Sequence, residues 1–402
     1  MIYLDHNAST PVDPRVRDAV RQAEDVFGNA SSVHAAGQAA RRLVEESRDA
    51  VSRLIGGAGG AVVFTSGATE ANALALLGAA AGRRGRMRIV VSGAEHPSVR
   101  ENAERRAARD GCELVRVDPD PSGALDPERV LAAAAEDTIL VSVMAASNEY
   151  GALHPIGRIA EGLRGRGVLL HTDAAQAGGR IPIDADAWGV DLLSLSAHKM
   201  NGPKGAGALW VRRGVALEPL AGGGGQEKRM RPGTENTAAI AGFGSAADVA
   251  RRALAADGDG RAGAVRALRD RLEAGILRTV PGARALAASA PRLPNTSAVL
   301  FDGVSGEALM IALDLEGIAV SVGSACSSGT VSPSPALLAL GLSRDESMRV
   351  VRFSLGPTNT EAEIEAVLDV LPRTVGRVRA ATQEARSGAT EGARPRAAEV
   401  SA

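Results

Sequence analysis

The sequence predicts an α/β chain in two parts, a large domain with a mostly parallel sheet flanked by helices plus a smaller α+β domain. Three observations predict it. The chain has 402 residues, more than one domain usually takes. From about Pro14 to Ala256, short β-branched runs alternate with Ala/Leu/Arg stretches of helical period. A break at Asp257-Gly-Asp-Gly260 then separates this alternation from a long helix and a second set of strands.

Strands are expected at Ala61–Thr65, Arg88–Ser92, Glu113–Val117, Thr138–Met144, Val168–Thr172, Asp191–Ser196 and Ala206–Val211. Helices are expected between several of them, at Val33–Ile55, Thr69–Ala81, Pro97–Asp110 and Pro155–Gly165. After the break come a helix at Arg261–Val280 and strands near Ser297–Phe301, Ile318–Val322 and Val350–Leu355. The expected division is 13–256 for the large domain, and 1–12 with 257–381 for the small one. From Thr382 the chain loses periodicity, so 382–402 reads as a disordered tail. The uncharged run Gly317 to Ser343 could span a bilayer by length, but its seven Ser, four Gly and two Pro make it a flexible loop instead.

Composition narrows the function. Lys+Arg 46 against Asp+Glu 47 leaves a net charge of −1, and only nine residues are aromatic. Nucleic-acid or membrane-surface binding by bulk charge or base stacking is therefore not expected. The N-terminus lacks a basic stretch followed by an apolar run, so no signal peptide is expected. Two cysteines fit a reducing compartment, and a cytoplasmic location follows as an expectation. No metal site is expected. Only Lys199, Lys204 and Lys228 escape a strong bias toward Arg. Arg cannot form a Schiff base, so a surviving Lys is a candidate for work Arg cannot do.

In open α/β sheets, ligands bind beyond the carboxyl ends of the strands. The first such end is Thr65-Ser-Gly-Ala-Thr-Glu70, where Gly67 and Ala68 leave backbone N–H groups open and Thr69 can cap the helix, a fitting seat for phosphate. Other ends carry Glu95-His96, Asn148-Glu149, His171-Thr-Asp173 with Gln176, and Ser196-Ala-His198-Lys199. A lysine, a strand-end aspartate and a phosphate cradle are what pyridoxal phosphate requires. Lys204 fits a Gly-rich turn and Lys228 an exposed position, and neither is given a catalytic role. Cys112 opens a strand and reads as a small buried hydrophobe. Cys326 sits in Ser-Val-Gly-Ser-Ala-Cys-Ser-Ser-Gly with no nearby cation, so activation of its thiol must come from elsewhere.

These residues resemble a known family. Tyr3-Leu-Asp-His-Asn-Ala-Ser-Thr-Pro11, Ser31-Ser-Val-His-Ala-Ala-Gly-Gln38, Phe64-Thr-Ser-Gly-Ala-Thr-Glu-Ala-Asn72, Glu95-His-Pro-Ser98, His171-Thr-Asp-Ala-Ala-Gln176, Ser194-Leu-Ser-Ala-His-Lys199, Arg231-Pro-Gly-Thr-Glu-Asn236 and Gly323-Ser-Ala-Cys326 resemble motifs of the cysteine desulfurases. These are pyridoxal 5'-phosphate enzymes of the class V aminotransferase group, here the nitrogen-fixation and iron–sulfur-assembly type. The likeness runs from about residue 2 to 380 and implies the fold type I aminotransferase architecture. By resemblance, Lys199 forms the Schiff base, Asp173 partners the pyridinium nitrogen and Gln176 the ring hydroxyl. His96 stacks on the ring and handles the substrate proton. Thr69, Ser196 and His198 match phosphate ligands, and Thr234 matches one that reaches in from the partner subunit, which implies a homodimer. Asn148 and Arg352 match the groups that hold cofactor hydroxyl and substrate carboxylate. Cys326 resembles the nucleophile that takes sulfur from L-cysteine, leaving alanine and a persulfide for an acceptor protein of unknown identity.

Some positions depart from the family pattern, namely Ser147, Tyr150 and Met200-Asn201. Selenocysteine lyase, racemase or aminotransferase chemistry on the same fold, or a non-catalytic sulfur relay, stands as the alternative; Cys326 separates the first group, and intact Lys199, Asp173 and His96 oppose the second.

Overall fold

The computed structural model describes residues 1–79, 87–256, 260–323 and 332–391. In chain order its strands are β1 (Ile2–Tyr3), β2 (Gly60–Thr65), β3 (Arg88–Ser92), β4 (Glu113–Val117), β5 (Thr138–Ser142), β6 (Leu169–Asp173), β7 (Leu192–Ser196), β8 (Gly207–Arg212), β9 (Ala283–Ala285), β10 (Thr296–Phe301), β11 (Ile318–Ala319), β12 (Ser321–Val322) and β13 (Val350–Ser354). The helices of the first half are α1 (Pro14–Glu24), α2 (Ala35–Leu54), α3 (Ala68–Gly78), α4 (Pro97–Asp110), α5 (Pro127–Ala133), α6 (Ile156–Leu163) and α7 (Ala185–Trp188). Those of the second are α8 (Thr237–Ala255), α9 (Gly260–Thr279), α10 (Gly306–Leu315), α11 (Pro335–Ala339), α12 (Arg344–Ser347) and α13 (Glu361–Glu391).

Seven strands form the large sheet in the order β2-β8-β7-β6-β5-β3-β4. All neighbours are parallel except β8, which runs antiparallel to β2 and β7. Period-two alternation supplies both faces with apolar side chains. Val62, Phe64, Leu193, Leu195 and Trp210 face the core under α1, α2 and α8. Val63, Leu192, Leu209 and Val211 face the opposite core, with α3 and α4.

The small sheet, β12-β13-β10-β9, is antiparallel throughout. Val299 and Phe301 of β10 point to a core shared with α9, α10 and α13. Ala298 and Leu300, on the other face, meet Met144 and Tyr150 from the large sheet's side, forming a seam between the two sheets. The chain's first strand belongs with this end: β1 pairs parallel with β11, and Ser354 N–H donates to Leu4 O at 2.7 Å.

Two expectations change. The stretch 317–343 is not one loop, because it holds β11, β12 and α11; Pro335 occupies the first turn of α11 and Ser334 caps it, so proline starts this helix rather than breaking it. The last helix continues past Thr382 to Glu391, into the stretch expected to be a tail, where alanine, glutamate and arginine favour helix. Residues 392–402, the linker 257–259 and the Cys326 segment 324–331 lie outside the described residues. Among the described residues, no helix is long and apolar enough to cross a membrane.

Candidate active site

A cavity of about 670 Å³ opens beyond the carboxyl ends of β2, β3, β5, β6 and β7, with its far wall from β12 and β13. It gathers ten of the twelve residues singled out from sequence.

At one end lies the turn from β2 into α3. Gly67 is the N-cap of α3 and offers no side-chain cap, so the first-turn amides stay free. A Cβ built on Gly67 meets nothing within 4 Å, whereas one on Gly207 of β8 would come 2.4 Å from the Gly67 backbone. The strand behind the turn thus approaches as closely as glycine permits. Thr69, expected to cap the helix, lies instead within its first turn beside Ala68, because the helix begins one residue earlier; both line the cavity. Ser196 ends β7 here, and His198 follows with its Nδ1 3.3 Å from Ser9 Oγ. Burial, then Lys199, Lys204 and Arg180, push the His198 pKa down to about 4, so it is neutral at pH 7. Uncapped amides, a hydroxyl and a neutral imidazole suit an anion.

Asp173 ends β6, its carboxylate held at both oxygens: Asn72 Nδ2 donates to Oδ2 at 2.7 Å and Ala175 N–H to Oδ1 at 2.9 Å. Lys199 stands in the short turn after β7. Its Nζ donates to Asn7 O at 2.6 Å and Ala8 O at 2.9 Å. Burial, then the Arg180 and Arg352 cations, push the Lys199 pKa down to about 8, against the pull of Asp173. His96 caps α4, its Nδ1 accepting the Ser98 N–H at 3.1 Å. Burial also lowers its proton affinity, with Asp173 acting the other way.

Gln176 Nε2 donates to Asn7 O at 2.9 Å, while its Oε1 accepts from half-buried Arg180, which also donates to His6 O at 2.7 Å. Arg352 of β13 donates to Asn148 O at 2.8 Å and to Asp5 Oδ1 at 2.8 Å. The backbone of Asn148 is therefore tied to the small sheet. Lys204, read from sequence as a turn residue, lies at the rim.

One of the twelve is not brought to this cavity, and another lies outside the described residues. Thr234 is exposed, in a separate groove with Phe27 and Asn29. Cys326 lies outside the described residues, although Gly323 lines the cavity and Ser334, beyond the segment, donates to Glu149 at 2.5 Å. Sequence reasoning gave no role to Asn7, Asn72 or Arg180. Asn7 and Asn72 lie inside motifs quoted above; Arg180 carries no local signal.

Pyridoxal 5'-phosphate fits these residues. The α3 N-terminus, Ser196 and His198 could take its phosphate, Asp173 has its oxygens fixed to face a ring nitrogen, and Lys199 offers an amine that loses its proton easily. The family model "Aminotransferase class-V" matches residues 2–367. A cysteine desulfurase of Cereibacter sphaeroides is 44% identical over 381 residues, covering 94% of this chain and 97% of the relative. Cysteine desulfurase IscS 1 of Archaeoglobus fulgidus is 43% identical over 382 residues, covering 94% and 98%. Among solved structures, a NifS-like protein matches with a TM-score of 0.84 at 32% identity, covering 93% of this chain and 99% of that one. DndA from Streptomyces lividans matches with a TM-score of 0.73 at 37% identity, covering 86% and 97%.

Proposed function

The chain belongs to the class V aminotransferases, among the cysteine desulfurases, and on that premise we propose that it converts L-cysteine to L-alanine and passes the sulfur through Cys326 to an acceptor protein. The observation that carries the reading is one cavity holding Lys199, Asp173 and an uncapped helix N-terminus. Pyridoxal 5'-phosphate, when bound, supplies an electron sink for the substrate's α-carbon.

The chain's own residues do the rest. Gly67 to Thr69, Ser196 and His198 hold the phosphate, and Gln176 and Asn148 orient the ring substituents. Asp173 cannot turn away, since Asn72 and Ala175 grip both oxygens. Lys199, with its pKa lowered to about 8, takes the α-proton at neutral pH more readily than an ordinary lysine. His96 lies across the cavity and, as a neutral imidazole, can carry the proton onward. Arg352, already positioned by Asp5 and Asn148, receives the substrate carboxylate.

Cys326 attacks the substrate sulfur as a thiolate. The new S–S bond forms as the Cβ–S bond breaks, the electron pair goes to carbon, and protonation there yields alanine. The persulfide on Cys326 then serves the acceptor. The exposure of Thr234, outside its own chain's cavity, supports a homodimer in which it completes the partner's phosphate seat. The two units are 13–256, and 1–12 with 257–381, and the protein works in the cytoplasm.

The test is alanine formation from L-cysteine with reductant present. Wild-type protein forms alanine and sulfide in equal amounts; Lys199→Ala and Cys326→Ala abolish both. Undiminished sulfide from Cys326→Ala would remove the assignment of the nucleophile.

A further inference from the structure

Glu95 stands between the end of β3 and His96, is 4% exposed, and has no part in the chemistry above. Its Oε1 accepts two hydrogen bonds, from Ser92 Oγ at 2.6 Å and from Met144 N–H at 2.7 Å. It thereby ties the end of β3 to the end of β5, its neighbour in the sheet. Its Oε2 is buried and has no partner among the described residues. A carboxylate with one bare buried oxygen and no cation is a costly arrangement.

The titratable groups that face Glu95 are Asp173 from β6 and Tyr150 from the turn after β5, and neither is a cation. His154 reaches it only through the Met144 peptide, accepting position being Met144 O at 2.8 Å, and burial holds that imidazole neutral. Asp173 presents the contrast: two donors, one on each oxygen, and Lys199 in its field. Of two acids in one buried neighbourhood, only Asp173 has both oxygens hydrogen-bonded and a cation beside it.

We propose that Glu95 is a positioning residue that works as a neutral acid, pinning the turn that carries His96 without setting a second carboxylate charge beside Asp173. The inference rests on the reading of Asp173 and His96 as cofactor contacts. Burial raises the Glu95 pKa to about 8, in keeping with a proton retained at pH 7.

The test compares Glu95→Gln with Glu95→Ala by cofactor affinity at pH 7 and by thermal unfolding of the cofactor-free protein from pH 6 to 9. A neutral isostere keeps the bridge, so Glu95→Gln retains cofactor affinity within about threefold, whereas Glu95→Ala weakens it about tenfold or more. The wild type loses stability relative to Glu95→Gln as pH rises from 6 to 8, because only the wild type must hold a proton the unfolded chain has released. Two results overturn the inference: a Gln variant as weak as Ala, or a wild-type-to-Gln difference that does not change with pH. Asp173→Asn is the control for the underlying reading; if that variant binds cofactor like wild type, the contact assignment fails, independently of Glu95.

Discussion

Arg48→Ala probes the pin that holds the segment bearing Thr234 against the large sheet. Arg48 Nη1 lies 2.7 Å from Glu227 Oε2, and Nη2 lies 3.0 Å from Oε1, a bidentate pair with side chains 11% and 1% exposed. Glu227 also accepts the Phe64 N–H of β2 at 2.8 Å, and the Arg48 guanidinium lies 5.0 Å from the centre of the Phe64 ring. Glu227, Lys228 and Arg229 all have positive φ (43°, 57° and 65°), a conformation non-glycine residues adopt only when held. Among the described residues no other cation pairs with Glu227, so removing Arg48 costs what an uncompensated buried charge does, about 3–5 kcal/mol. The reverse change is milder. In Glu227→Gln the amide oxygen still takes the Phe64 N–H, and Arg48 keeps Glu45 at 3.1 Å, so the loss is about 1–2 kcal/mol. Urea unfolding followed by tryptophan fluorescence reads both, since Trp210 is fully buried in β8 beside β2. Equal losses from the two substitutions, or a loss below about 1 kcal/mol for Arg48→Ala, would refute the asymmetry.

Gly207→Ala touches no polar group of the site, yet its Cβ would drive into the Gly67 backbone at 2.4 Å; a strain of about 1–3 kcal/mol lowers cofactor affinity roughly ten- to hundredfold, measured by equilibrium binding. Asn72→Ala releases one oxygen of Asp173, and cofactor affinity should fall about tenfold while the circular dichroism spectrum stays unchanged. In the cofactor-free protein, the lowered Lys199 pKa means that the folded state gives up its proton earlier than an unfolded lysine would. Acylation of Lys199, followed by mass spectrometry, should therefore rise with a midpoint near pH 8, and a midpoint near the ordinary lysine value of about 10.4 would contradict the cause assigned here.

The sheet was legible because parallel strands buried on both faces are short apolar runs, and the residues at their carboxyl ends were the right place to look: Asp173, Lys199 and His96 all reach the cavity. Resemblance added what periodicity could not, the pairing of Arg352 with this site from β13. Less was legible where contacts span the chain. Arg180 reaches His6 and Asn7, more than 170 residues away, and no pattern around either end signals it. Thr69 was read as the cap but is the second residue of the helix, since nothing in Thr65-Ser-Gly-Ala-Thr says which residue starts it. Within 317–343 the strand near Ile318–Val322 was legible, although it is split into two pairs of residues, whereas the five-residue helix α11 is too short for periodicity to register.

The parallel pairing of β1 with β11 also bears on the order in which a growing chain can finish folding. Tyr3 must wait for Ala319, more than three hundred residues later. At ribosomal speeds of about 5–20 residues per second, that delay is roughly 15 to 60 s. During it the seven-stranded sheet, complete by Arg212, can close over its own cores. The strip Asn7-Ala8, whose carbonyls receive the Lys199 ammonium, can already meet Gln176 and Arg180, but the backbone bonds on its other side, His6 N–H to Ser354 O among them, form only when β11 and β13 emerge. The floor under Lys199 is therefore held from both sides only late, with the last quarter of the chain, which also brings Arg352.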